Sequence, residues 1–148
     1  MMARATENDY EKEFVEGLVF VGLSFEGAGM SEVYSAIEDE CQKLDLTARR
    51  VDENVGAGLV IDEIEDLIED AEFVVFDLTY ERPNVYYELG YARGVGNEPL
   101  DILLVAHKGT TVHFDIAPYR VQFYESTEQL RGLVARNLAG MIEQTRDE

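Results

Sequence analysis

The segment richest in chemistry is Asp77-Leu-Thr-Tyr-Glu-Arg-Pro-Asn-Val-Tyr-Tyr-Glu-Leu-Gly-Tyr-Ala92. Asp77 follows the apolar run Phe73-Val-Val-Phe, which has the pattern of a strand buried on both faces, so its carboxylate is expected at that strand's carboxyl end. Pro83 suits the first turn of a helix, and beyond it Val85, Leu89 and Ala92 recur at helical spacing as a stripe facing a sheet. Glu88 falls on that same face, between Val85 and Ala92. A carboxylate in such a place is costly unless it is hydrogen-bonded or used. Two readings stay open for it: it satisfies backbone donors or an arginine near the helix start, or it does chemistry. Asp77 has a similar pair of readings, as a cap of the turn after its strand or as a working acid in the crevice. For Tyr86, Tyr87 and Tyr91, packing with a wet hydroxyl competes with a role at the site.

Two loops complete the set. Gly22-Leu-Ser-Phe-Glu-Gly-Ala-Gly29 could bring backbone amides close to a phosphate or ribose, with Ser24 as a polar contact. Its glycines lack the spacing of a dinucleotide fingerprint, and no Gly-Lys-Ser follows. Asp52 ends a second strand, where it either accepts ribose hydroxyls or is a solvated loop acid. Nothing in the chain has the arrangement of a Ser-His-Asp or Cys-His set. Cys41, the single cysteine, sits in the helical stripe Val33, Ile37, Cys41, Leu44 and is expected to be a buried structural thiol. His107 and His113 have no metal-ligand spacing and read as loop or surface residues, so neither a metal nor a cofactor is expected.

The elements that must position these residues alternate between strand and helix patterns. Residues 18–25 form a continuous apolar run, followed by a Gly-rich turn and a helix over 31–44. A less apolar strand over 47–51 is expected nearer an edge, and 52–58 is a loop. A second helix carries Val60, Ile61, Ile64, Leu67 and Ile68 on one face, with acids opposite. After the strand ending at Asp77 come a helix over 83–95, a strand over 100–106 and a strand over 121–124. Ser126 and Gln129 make a capping-box signature for a last helix whose stripe is Leu130, Leu133, Val134, Leu138, Met141 and Ile142. This alternation predicts one α/β domain over 1–148, a flavodoxin-like three-layer sandwich with a mainly parallel five-stranded sheet, residues 1–16 being flexible or peripheral. Ligands of such sheets bind beyond the carboxyl ends of the strands, near the switch point.

Composition narrows the partners. The chain has 31 acidic and 12 basic residues and a net charge of −19, so it repels nucleic-acid backbones. Only Lys12, Lys43 and Lys108 are lysines, and an acid-rich, lysine-poor surface suits high internal salt. No apolar run approaches the roughly 20 residues of a membrane span, and the polar start has no signal-peptide core, so a cytoplasmic protein is expected.

The stretch 73–96, with its strand, Asp-Leu-Thr, Pro-Asn-Val, aromatic pair and Glu-Leu-Gly-Tyr-Ala, resembles the nucleoside 2-deoxyribosyltransferase-like proteins and their TIR-like relatives. A weaker similarity runs from Phe20 through Phe-Asp-Ile (114–116) and Tyr-Arg-Val (119–121). The resemblance implies that Glu88 is the nucleophile at C1 of a sugar. Such chemistry needs a second acid for the proton of the departing base, and Asp77, through its position at the strand end, is the candidate, with Asp62 or Glu63 as rivals. The resemblance further implies a nucleoside or nucleotide partner, for which Gly22, Ser24, Phe25, Asp52, Asn84 and Tyr87 are the candidate contacts, and a homo-oligomer, since sites of this family often borrow residues from a neighbour. Two positions depart from the pattern: Phe20 stands where a tyrosine is common, and Ile64, between Glu63 and Glu65, where a carboxylate is usual. The functions left standing are N-glycosidic cleavage or deoxyribosyl transfer, a TIR-like NAD hydrolase, and a non-catalytic nucleotide-binding module.

Overall fold

A computed structural model of the chain describes residues 2–5, 11–24, 26–51, 60–112 and 120–146. In chain order the elements are β1 (Met2–Ala5), β2 (Glu11–Gly22), α1 (Met30–Lys43), β3 (Thr47–Arg49), α2 (Val60–Asp70), β4 (Ala71–Asp77), α3 (Pro83–Gly94), a 3-10 turn (Pro99–Asp101), β5 (Ile102–His107), β6 (Val121–Tyr124) and α4 (Thr127–Thr145). Five strands pair in parallel in the order β3-β2-β4-β5-β6, the flavodoxin-like sequence in which the chain reverses direction across the sheet at β2 and β4. The sheet differs from the expected one by a sixth strand. β1 pairs antiparallel with the first residues of β2, from Met2 opposite Phe14 to Ala5 opposite Glu11, so the sheet is mixed.

Side-chain alternation along β4 divides the interior into two layers. Phe73 and Val75 join Val19, Val21 and Leu23 in a cluster covered by α1 and α4. Val74, Phe76 and Leu78 join Phe20, Ile64, Ile68, Val85 and Leu89 in a second cluster under α2 and α3. Every residue of β4 is buried, which explains why its sequence is a continuous apolar run and not an alternating one. Each fully buried Phe, Val or Leu here contributes roughly 1.5–3 kcal/mol relative to exposure. The stripes expected for α1 and α4 face the first cluster, including Cys41, whose thiol is pushed by burial up to about 12. On α2, Ile64 and Ile68 are buried, but Ile61 lies 51% exposed, outside the stripe assigned to it. The N-terminus of α4 is capped by Ser126 as the sequence indicates, while the return bond from Gln129 goes to the residue before the cap and not to the cap itself. Ser126 accepts from the Gln129 N–H at 3.2 Å, and the Gln129 side chain accepts from the Glu125 N–H at 2.7 Å.

Residues 11–16 are built into this frame. Lys12 is buried, and its ammonium donates to the carbonyls of Ala71 (2.6 Å) and Ile68 (3.3 Å) and to Asn97 Oδ1 (2.9 Å), tying β2 to the end of α2. The β2–β4 register then slips between Val15 and Val19. Gly17 takes up the slip with a φ of 85°, open to glycine but strained for other residues, and its N–H reaches Glu72 Oε1 at 2.8 Å. Arg146, just past α4, closes a fork on the same buried carboxylate at 2.8 and 2.7 Å.

Candidate functional site

Glu88 owes its place to the start and the stripe of α3. Pro83 occupies the first turn, where its missing N–H is no loss, and Val85, Leu89 and Ala92 are buried against the sheet. That orientation brings Glu88, 4% exposed, over the carboxyl end of β2. A Cβ built on Gly22 would stand 2.8 Å from Glu88 Oε1 and 2.5 and 2.7 Å from two atoms of the Phe76 ring. Glycine at 22 is thus what lets the carboxylate and the ring approach the backbone of β2. The spot is the switch point of the sheet, between β2 and β4. Its near wall is apolar: the rings of Phe20 and Phe76 lie 6.1 Å apart, centre to centre, in the cluster that also contains Ile64 and Leu78.

Asp77 is also buried, at 2% exposure, but on the other face of the sheet. Its Oδ1 accepts from the Thr79 N–H at 2.8 Å and its Oδ2 from the Tyr124 hydroxyl at 2.6 Å. Burial pushes the Asp77 carboxyl up from its ordinary range, against the lowering effect of its bonds to Thr79 and Tyr124. The Tyr124 hydroxyl is raised as well, first by burial and then by the neighbouring Asp77 charge. Thr79 Oγ1 accepts from the His107 N–H at 3.0 Å and lies 3.4 Å from the Tyr124 hydroxyl, while the His107 ring meets Tyr124 edge-on. This network borders a cavity of about 500 Å³, with Gly29, Met30, Thr79, Tyr80, His107 and Tyr124 on its walls. The sequence gives no sign of this set. Its members come from three strand ends, and only the sheet order brings them together.

The remaining expected residues are scattered. Ser24 is buried and donates its hydroxyl to the Glu26 carbonyl, a bond within the first loop. Asn84, half-buried, lies one turn before Glu88 on the same side of α3. Tyr87 is 48% exposed and turns toward α2, where its hydroxyl donates to Glu65; Tyr91 does the same to Glu69. The two rings stack along α3 at 6.5 Å. Asp62 and Glu63 are exposed in the first turn of α2. Phe25, Asp52, His113 and the segment 114–116 lie outside the described residues. Gly22 and Glu88 therefore come together with Asn84 nearby, whereas Asp77 and Tyr87 are directed elsewhere.

No protein-family model matches the chain, and no curated protein matches it in sequence. Solved structures do match. A flavo di-iron protein from Thermotoga maritima superposes with a TM-score of 0.65 at 14% identity, over 91% of this chain and 37% of that one. This chain therefore corresponds to little more than a third of that protein's length. A diflavin flavoprotein from Nostoc gives 0.57 at 14% identity, covering 89% of this chain and 96% of that one. The CMP N-glycosidase BcmB of Clostridium botulinum gives 0.56 at 16% identity, covering 78% of this chain and 96% of that one. Among the described residues no helix is long and apolar enough to cross a membrane. At these identities what is shared is the fold, a flavodoxin-like α/β sandwich, to which this chain adds one antiparallel strand.

Proposed function

We propose that the chain cleaves the N-glycosidic bond of a nucleoside or nucleotide with Glu88 as the carboxylate that meets C1 of the sugar. The observation that carries this reading is the packing of the Glu88 carboxylate against Gly22 at the switch point, beside the apolar wall of Phe20 and Phe76. Breaking the bond gives the sugar oxocarbenium character, and a carboxylate held in a low-dielectric wall stabilises or traps that cation. In the trapping route a Glu88 oxygen forms an ester at C1 while the base departs with the bonding electrons and gains a proton. Water, or an acceptor base, then takes the sugar and frees Glu88. In this reading Asn84, one turn away on the same side of α3, contacts the sugar. The likeness to a CMP N-glycosidase over nearly all of that protein's length supports the same reading.

Asp77 fits a positioning role better than proton transfer to the base. It faces away from Glu88, and its oxygens hold Thr79 and Tyr124. It thereby fixes the turn that leads into α3. The proton of the leaving base falls to Asp62 or Glu63 at the start of α2. A second reading, a non-catalytic nucleotide-binding module, draws on Phe20 and Ile64. They put two buried apolar residues where the resembled enzymes carry a tyrosine and an acid.

One experiment separates them. Purified protein in high-potassium buffer is given deoxynucleosides, their monophosphates, CMP and NAD separately, and free base or nicotinamide is followed by chromatography. Base release that falls by about 10³-fold or more in Glu88→Ala is the expected result. Nicotinamide release from NAD alone would instead favour a TIR-like hydrolase. Thermal stabilisation by a nucleotide without turnover, retained in Glu88→Gln, would favour the binding module.

A further inference from the structure

A second cavity, of about 330 Å³, opens at the other end of the sheet from Glu88, between the start of β6, the edge of β5 and the last turns of α4. It sits in a notch, because β6 begins opposite Leu104 and leaves Ile102 and Leu103 beyond its paired length. Leu100, 53% exposed, and Ile102 give it an apolar wall. Its polar side is made by Arg120, Gln122, Arg136 and Asn137. Among the described residues no carboxylate lines it, in a chain where 31 of 148 residues are acidic.

Arg93, Arg131 and Arg146 are each ion-paired with carboxylates. Among the described residues Arg120 and Arg136, like Arg49 and Arg82, form no ion pair. The wall between them is fixed by a reciprocal amide pair: Gln122 Nε2 donates to Asn137 Oδ1 at 2.6 Å and Asn137 Nδ2 to Gln122 Oε1 at 3.0 Å. Asn137 also donates to the Leu133 carbonyl at 2.8 Å, so the pair locks β6 to α4.

We infer that this cavity is a binding site for a small phosphate monoester with a short apolar body, separate from the site around Glu88. Two permanently charged guanidiniums match a dianionic phosphate head, which each can engage through two parallel N–H bonds. The apolar wall takes the body of the ester, and a cavity of this size lies at the small end of ligand pockets. A second copy of the chain joined by the same face would set arginine against arginine, so a small anion is the better occupant. Against a background charge of −19, the absence of carboxylates among the described residues that line the cavity is what leaves the anion a local attraction.

The test is calorimetric titration of the full chain with phenyl phosphate at low ionic strength, where screening is weakest. Inorganic phosphate and benzyl alcohol serve as probes of the head and the body alone. Saturable binding of phenyl phosphate is expected, weaker binding of inorganic phosphate and none of benzyl alcohol. Arg120→Gln and Arg136→Gln should each weaken phenyl phosphate by about tenfold or more, and the double variant should abolish it. Both side chains are exposed, so these variants keep their thermal midpoints and a loss of binding is a loss of the site. Glu88→Gln should bind as the wild type does. Unchanged affinity in the double variant, equal binding of benzyl alcohol, no saturable binding, or loss of binding in Glu88→Gln would each overturn the assignment.

Discussion

Glu72 and Glu88 are both buried carboxylates, at 1% and 4% exposure, lying near opposite ends of β4. At the amino end, Glu72 is clamped by the fork of Arg146 and by the Gly17 N–H, and its charge is answered by a cation built into the fold. At the carboxyl end, Glu88 is pressed onto a glycine where the loops of the sheet begin. The contrast shows that burying an acid does not make a site. Glu72 holds the last helix to the sheet. Glu88 lies at the end where α/β sheets take ligands, on a backbone stripped of its side chain to admit it. Asp77 stands at the ligand end too, on the other face of the sheet, its oxygens held by the Thr79 N–H and the Tyr124 hydroxyl.

The sharpest way to break this comparison is Arg146→Ala. If Glu72 is structural, removing its cation leaves a buried charge with little compensation and lowers stability by roughly 3 kcal/mol in urea unfolding. Base release per folded molecule should not change. Gly22→Ala should do the reverse. The added methyl overlaps Phe76 and Glu88, so stability falls by about 1–3 kcal/mol. Base release, measured where the variant remains folded, should fall by more than that loss explains.

Asp77 sharpens the comparison through pH. Its carboxyl titrates above its ordinary range when folded, so between the unfolded value, about 3.9, and the raised native value the folded chain binds more protons than the unfolded one. The native state therefore loses stability from this group as pH rises through that window and holds a constant deficit above it. Relative to the wild type, Asp77→Asn should gain stability as pH increases across the window and then run parallel, read from urea midpoints at several pH values. Tyr87→Phe is the smallest perturbation. The ring is exposed and its hydroxyl meets Glu65 at the surface, so neither the unfolding midpoint nor base release should move measurably.

The α1 and α4 stripes and the buried run of β4 were plain in the sequence, because in each a single periodicity matches a single buried face. Glu88 was legible for the same reason, as an acid on an apolar helical face. Residues 11–17 were not. A buried lysine, alternating acids and a glycine bulge give no strand signal until Ala71, Ile68 and Asn97 are seen to receive the ammonium. Tyr124, Thr79 and His107 were invisible as a set, since no local spacing records which strand ends become neighbours. Tyr87 misled because its neighbour in sequence, Glu88, faces the sheet, while a helix turns the next side chain about 100° away, toward α2.

The fit between Gly22 and Glu88 gives a way to sort descendants of this sequence. The glycine has no reason of its own to persist at the end of β2, since its backbone there is not in the left-handed region. It is required only while a carboxylate and a phenyl ring fill the space a side chain would take. Lineages that keep the acid should keep the glycine, and only those that shed the acid and also shrink the ring at position 76 are free to place alanine or serine at the strand end. The two positions, sixty-six residues apart in the chain, then drift as one character.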